Sequence, residues 1–212
     1  MVKGDEGVFE VAAGQSRSGK TYIAAKRIAK QKNVLVWDVK GEFGKKFRCR
    51  PVSRAELAKI ATGAPGRYSF TAPATPDHFD FFCRCAWLWL RSHATKNSRV
   101  CLLVDELADV TSPGKAPQAW GEIIRKGLEH DPYILALTQS PHESDKTSLR
   151  NATIVRCHSL AWPNDRKTMA QFLDVHIDQV KALNFDRKEF LERDLRTQSL
   201  TIAGKGLKPK PV

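Results

Sequence analysis

The chain has 212 residues, 42% of them hydrophobic, which is about one domain's length and enough to bury a core. Lys and Arg outnumber Asp and Glu by 35 to 23, and the net charge of +12 favours a polyanionic partner such as nucleic acid without bearing on fold. No apolar run approaches the ~20 residues of a membrane helix, the start Met1-Val2-Lys3-Gly4-Asp5-Glu6 does not read as a secretory signal, and five scattered cysteines with no Cys-x-x-Cys pair argue against a disulfide framework or metal site and for a reducing compartment.

In chain order, Val8–Ala13 reads as a buried strand, followed by a glycine-bounded turn and a helix over Lys20–Lys30 with Ala25, Ile28 and Ala29 on one stripe. Val34–Trp37 is the next strand. Ser53–Ala61 opens with Ser53 and Glu56 in capping-box spacing. Tyr68–Phe70 is a weaker strand. The segment Asp77–Arg91 is apolar nearly all round, so it must be covered on more than one face, by its own core or by another subunit. Strands follow at Val100–Val104, Tyr133–Leu137 and Thr153–Cys157, with helical patterns at Trp120–Leu128 and Asp165–Leu183. Phe190–Ile202 reads either as a hairpin turning near Thr197-Gln198 or as helix through Leu195. Gly204 to Val212 reads as a flexible basic tail, leaving residues 1–203 as a single domain. Continuous apolar runs alternating with helices predict an α/β fold whose mainly parallel sheet is flanked by helices.

Gly14-Gln15-Ser16-Arg17-Ser18-Gly19-Lys20-Thr21 matches G-x-x-x-x-G-K-[ST], with a strand before it and a helix after it. Such a loop points backbone N–H groups at phosphate oxygens, and the helix N-terminus adds its dipole. Lys20 should reach the β- and γ-phosphates of ATP, the Thr21 hydroxyl should ligate Mg²⁺, and Tyr22 adjoins the nucleotide. Val100–Val104 ends in Asp105-Glu106. Paired acids at the end of a buried strand call for a nearby cation. Asp105 would hold Mg²⁺ and Glu106 would polarise the attacking water; the alternative is that the pair caps a helix. Gln139, ending the next strand, either senses the γ-phosphate and positions water or is an ordinary buried amide.

These residues together resemble the FtsK/HerA superfamily of ring-forming DNA-translocating ATPases. Two further stretches carry the likeness. Val34–Trp37 runs into Asp38-Val39-Lys40-Gly41-Glu42, similar to that family's D-x-K-G-E ending, and Ile124-Arg125-Lys126-Gly127 leads to Leu137-Thr138-Gln139-Ser140-Pro141, similar to its arginine-then-T-Q-x-P segment. The resemblance implies a RecA-like (ASCE) P-loop core, a hexameric or pentameric homo-oligomeric ring, ATP-driven movement of double-stranded DNA, and an arginine reaching into the neighbouring subunit's site. Arg125 and Arg166 both fit that role. The chain's small size makes it look like the genome-packaging ATPases of double-stranded DNA viruses with an internal membrane. That implies portal or vertex proteins as partners and a place in the virion packaging vertex and host cytoplasm.

Residues 17–54 hold twelve basic and two acidic residues. Within them Lys45, Lys46, Arg48 and Arg50 form the tightest cluster, a candidate for sequence-blind contact with DNA phosphates or simply a solvated charged face. Phe47 reads as a packing residue. Lys115, in the connection after Glu106, lies either in a pore-facing loop that touches DNA or in an ordinary surface loop. The rival readings are a filamentous-phage assembly ATPase related to zonula occludens toxin, a nucleotide-binding structural protein of a virion vertex and, more weakly, a small-molecule kinase.

Overall fold

The structure, a computed structural model, describes residues 7–93 and 99–212, apart from the side chains of residues 45, 46 and 93. The elements run β1 (Val8–Ala13), α1 (Lys20–Ile28), β2 (Asn33–Trp37), α2 (Glu42–Lys46), β3 (Arg50–Val52), α3 (Arg54–Ile60), β4 (Arg67–Phe70), α4 (Pro76–His93), β5 (Val100–Val104), α5 (Gln118–Lys126), β6 (Tyr133–Thr138), α6 (Lys146–Asn151), β7 (Ile154–His158), α7 (Pro163–Leu173), α8 (Ile177–Lys181), β8 (Phe190–Asp194), β9 (Ser199–Gly204) and β10 (Leu207–Pro211). Among the described residues they build one ten-stranded sheet in the order β10-β9-β8-β7-β1-β6-β5-β2-β4-β3. The seven strands from β7 to β3 in that order are parallel, and β8, β9 and β10 are antiparallel.

Every residue of β1, β2, β5 and β6 is buried, which is why these strands read as near-continuous apolar runs. One face packs on α1 and α2 through Val8, Ala12, Val36 and Leu103 against Ala24, Ile28 and Phe43. The other face packs on the remaining helices in a larger core rich in aromatic rings. There Phe79 and Phe82 of α4 lie 5.4 and 5.5 Å from the Trp37 ring. Thus α4 buries Phe79, Phe82, Ala86, Trp89 and Leu90 in the chain's own core, while Leu88 is exposed. All five cysteines are buried and free. Among the described residues no helix is long and apolar enough to cross a membrane.

The structure departs from the sequence reading at the C-terminal end. The stretch Asp165–Leu183 is two helices, because Asp174 takes the left-handed conformation (φ 52°) and ends α7. Phe190–Ile202 is β-hairpin and not helix, with Gln198 left-handed in its turn. Gly204 to Val212 is not a loose tail: β10 pairs with β9 and extends the hairpin into a three-stranded meander. Its Lys208, Pro209, Lys210 and Pro211 suit an outer edge, where proline and lysine discourage further pairing.

Two features of this order position the site. The parallel strands end along one edge, the edge where α/β sheets bind ligands. Strand β6 lies between β1 and β5, so its C-terminal end separates the loop after β1 from the acids after β5.

Candidate active site

The loop between β1 and α1 is held at both sides of its start. Gly14 N–H donates to the Thr138 carbonyl (3.1 Å) and Gln15 N–H to the Ser159 carbonyl (2.9 Å). A Cβ on Gly14 would sit 2.6 Å from the His158 Cβ and the Ser18 Oγ, so only glycine fits there. Gly19 has φ +108°, a conformation that side chains resist, and it starts α1. Lys20 is buried; its ammonium donates to the Gly14 carbonyl and, at 3.0 Å, to the Gln15 carbonyl. Burial lowers its pKa to about 8, against the pull of Glu106 and Asp105.

The two acids come within reach of this lysine. Asp105 and Glu106 are both buried. Burial first, then the neighbouring Glu106 charge, raises the Asp105 carboxyl to about 7, while Lys40 and Lys20 pull it down. Glu106 is left-handed (φ 57°, ψ 64°) at the head of a short 3₁₀ turn over Leu107–Asp109, and its side chain makes no capping bond there. It turns instead to Gln139. Glu106 Oε1 accepts from Gln139 N–H at 2.7 Å, and Oε2 accepts from the Gln139 side-chain amide. The Lys40 ammonium lies 3.3 Å from Oε2. Ser16, Lys20, Thr21, Asp105, Glu106 and Gln139, together with Arg17, Lys40 and Glu42, line one cavity of about 470 Å³.

Lys40 and Glu42 belong to the D-x-K-G-E stretch, to which the sequence reading gave no site role. The structure explains its spacing. Asp38 is fully buried and accepts from the N–H groups of Glu42 (3.0 Å), Phe43 (2.9 Å) and Gly44 (3.3 Å), so it caps α2. Gly41 supplies the left-handed turn (φ +66°). Because β2 and β5 pair with Trp37 opposite Val104, Lys40 and Glu106 lie just beyond the ends of adjacent strands. The signal in the sequence was a cation three residues past a buried strand; what was missing was the strand order.

A second cavity, about 860 Å³, opens on the other side of Lys20 and Thr21. Tyr22 and Lys26 of α1 flank it, with Lys26 Nζ 4.6 Å above the Tyr22 ring. Lys188, in the turn before β8, and Phe190 and Leu207 of the C-terminal meander form the opposite wall. At its base His158 is fully buried and packs on Phe190 (5.1 Å between rings). Neither ring nitrogen makes a well-formed hydrogen bond, although the Ser18 backbone lies alongside. Burial, then the charges of Arg156 and Lys20, lowers the His158 pKa to about 3.

Other sequence candidates lie apart from these cavities. Arg125 is exposed in the last turn of α5, which leads toward the start of β6 and so to the edge opposite the loop. Arg166 lies in the first turn of α7, on the loop side, with Nη1 donating to the Leu160 carbonyl at 3.4 Å. Lys115 is exposed, but its loop is tied down: Gly114 O accepts from Lys146 N–H (3.0 Å) and Ala116 N–H donates to Thr147 Oγ1 (3.1 Å). The Lys45 and Lys46 side chains lie outside the described residues. Arg48 is exposed, and Arg50 pairs with Glu56 at 2.9 Å. Phe47 packs on Phe43, and Arg67 at the start of β4 holds its carbonyl at 2.7 Å. The basic segment therefore descends from the loop edge toward the strand starts.

No family model matches the chain. Over 185 residues it is 31% identical to protein P9 of Pseudoalteromonas phage PM2, covering 86% of this chain and 83% of that protein. Among solved structures it is similar to the genome packaging NTPase B204 of Sulfolobus turreted icosahedral virus 2 in complex with AMPPCP. The TM-score is 0.75 at 17% identity, over 96% of this chain and 98% of that one. It is also similar to B204, the DNA-packaging ATPase of Sulfolobus turreted icosahedral virus, with a TM-score of 0.71 at 17% identity, over 97% and 99% of the two chains. The fold is thus that of a P-loop NTPase.

Proposed function

The chain belongs to the family of phage PM2 protein P9, and on that premise we propose that it is an ATP-hydrolysing motor that packages viral double-stranded DNA into a preformed capsid. One observation carries the reading: Lys20, Thr21, Asp105, Glu106 and Gln139, from the ends of three neighbouring strands, meet around a single cavity. Triphosphate would lie across the loop with its γ-phosphate in that cavity and its base toward Tyr22, Lys188 and Phe190 in the larger one. The likeness in fold to proteins whose structures hold ATP analogues supports the same binding mode.

Mg²⁺ suits the donors present. Thr21 brings a hydroxyl and Asp105 a carboxylate whose burial is costly without a cation. Among the described residues no three His, Cys, Asp or Glu side chains gather into a metal site, so the remaining ligands would be phosphate oxygens and water. Bound there, Mg²⁺ supplies charge neutralisation on the phosphates. Glu106 would take a proton from the attacking water, and Gln139 ties that carboxylate to the end of β6. DNA would be held through its phosphates by exposed cations such as Arg48 and Lys115, without regard to sequence. In the assembled ring a neighbour's arginine would complete the site. Arg125 suits that role better than Arg166, since it is exposed and among the described residues makes no ion pair or hydrogen bond. Portal or vertex proteins would anchor the ring at the virion vertex.

The test is ATP turnover with and without duplex DNA, on protein whose assembly state is measured by light scattering. Wild type is expected to hydrolyse ATP and to be stimulated by DNA. Glu106→Gln is expected to bind ATP and lose turnover by about a hundredfold or more. Binding without turnover in the wild type would point instead to a structural nucleotide-binding protein.

A further inference from the structure

The cavity beside the loop contains two lysines with different attachments. Lys20 is buried and bonded to loop carbonyls. The Lys40 side chain is 46% exposed, so its stem can swing, while its backbone is fixed by the Asp38 cap on one side and Gly41 on the other. Its ammonium is placed on Glu106 Oε2, the oxygen that also accepts from the Gln139 amide, and Oε1 is taken by Gln139 N–H. Three donors thus occupy Glu106, and an ionised carboxylate offers roughly four acceptor positions. A carboxylate so engaged has little room to accept from water. An anion in the cavity would compete for the one mobile donor of the three, since both Gln139 contacts come from a single residue at a strand end.

We infer that Lys40 is a second phosphate lysine, exchanged between Glu106 and the γ-phosphate of a bound triphosphate, so that arrival of the γ-phosphate frees an acceptor position on Glu106. This inference rests on the ATPase reading and deepens it. No covalent bond changes in the exchange; one ion pair replaces another. It makes Lys40 specific for the third phosphate, whereas the loop amides and Lys20 also serve a diphosphate. It also gives the site a built-in order, with a further acceptor position on the carboxylate opened when there is a γ-phosphate to attack.

The experiment is calorimetric titration of the full chain with ADP and with the β,γ-methylene analogue of ATP, both with Mg²⁺. The proteins are wild type, Lys40→Met, Lys40→Arg, Glu106→Gln and the Lys40→Met/Glu106→Gln double variant. Lys40→Met is expected to weaken the triphosphate analogue about tenfold or more, the worth of one charged contact, and ADP by less than about twofold. Lys40→Arg is expected to restore most of that loss. Glu106→Gln removes the competing anion, so it should tighten the analogue about threefold or more, and this gain should vanish in the double variant. Equal losses for the two nucleotides, no loss for either, or a Glu106→Gln gain that survives without Lys40 would overturn the inference. Wild-type protein that binds neither nucleotide would overturn the ATPase reading itself, and the two failures are therefore distinguishable.

Discussion

His158 shows what a buried polar residue costs and what holds it in place. Its Cβ fills the space that a Gly14 side chain would need, and its ring forms the floor of the larger cavity. With a native pKa of about 3 and an ordinary value of 6.5, the unfolded chain binds a proton that the native chain refuses. The sign follows: the neutral ring's contribution is fully present above pH 6.5 and is lost as pH falls toward 3. The slope is up to about 1.4 kcal/mol per pH unit for one proton. Urea unfolding at a series of pH values should therefore show stability falling below pH 6.5 more steeply in wild type than in His158→Leu. Identical slopes would contradict this account. The sequence offered no sign of the role, because a histidine at the end of a strand acquires it only when β7 is placed beside the loop.

At the scale of elements, β1, β7, β8 and α1 are joined by a charge cluster between helix and sheet, sealed at Glu10 and Arg156 and partly exposed at Glu192 and Arg27. Glu10 and Arg156 are almost wholly buried and ion-paired, and Arg156 also pairs with Glu192, its Nε donating at 2.8 Å. Tyr133 O–H donates to Glu10 Oε2, and Arg27 of α1 reaches Glu192 at 3.4 Å. This cluster ties the antiparallel meander to the helix that follows the phosphate loop. Arg156→Met should cost about 3–5 kcal/mol in chemical unfolding, because it leaves the buried Glu10 carboxylate with only the Tyr133 hydroxyl and the half-exposed Arg27 guanidinium 3.8 Å away. Adding Glu10→Leu should recover much of the loss. A single-variant cost under about 1 kcal/mol would show that the cluster is not sealed as described. Glu10 sits inside the run Val8–Ala13, and its apolar neighbours were enough to mark the strand while hiding the network. The strands buried on both faces were legible for the same reason. By contrast β3 and β10 were not, since each carries proline and pairs on one side only. The break between α7 and α8 rests on one left-handed aspartate that the amphipathic pattern ran through.

For the whole molecule, the parallel sheet converts positions far apart in sequence into neighbours. Gly14–Thr21, Lys40, Asp105-Glu106 and Gln139 each follow the end of a strand, and the order β1-β6-β5-β2 lays them along one edge. The residue types and their strand context were readable in advance, since phosphate loops and strand-ending acids have local signatures. Lys40 was not, because its partner lies 66 residues away and only the pairing of β2 with β5 reveals it. Nor did local signatures locate the basic segment from the end of α2 to the start of β3, which runs away from the nucleotide edge. Under the proposed function, the exposed Arg48 would meet DNA away from the nucleotide edge. The most direct test is a crystal structure with a non-hydrolysable ATP analogue and Mg²⁺. The account predicts phosphates cradled by the amides of residues 14–21, with the γ-phosphate about 3 Å from the Lys20 ammonium and facing Asp105 and Glu106. A nucleotide bound elsewhere, or acids turned away from its terminal phosphate, would contradict it.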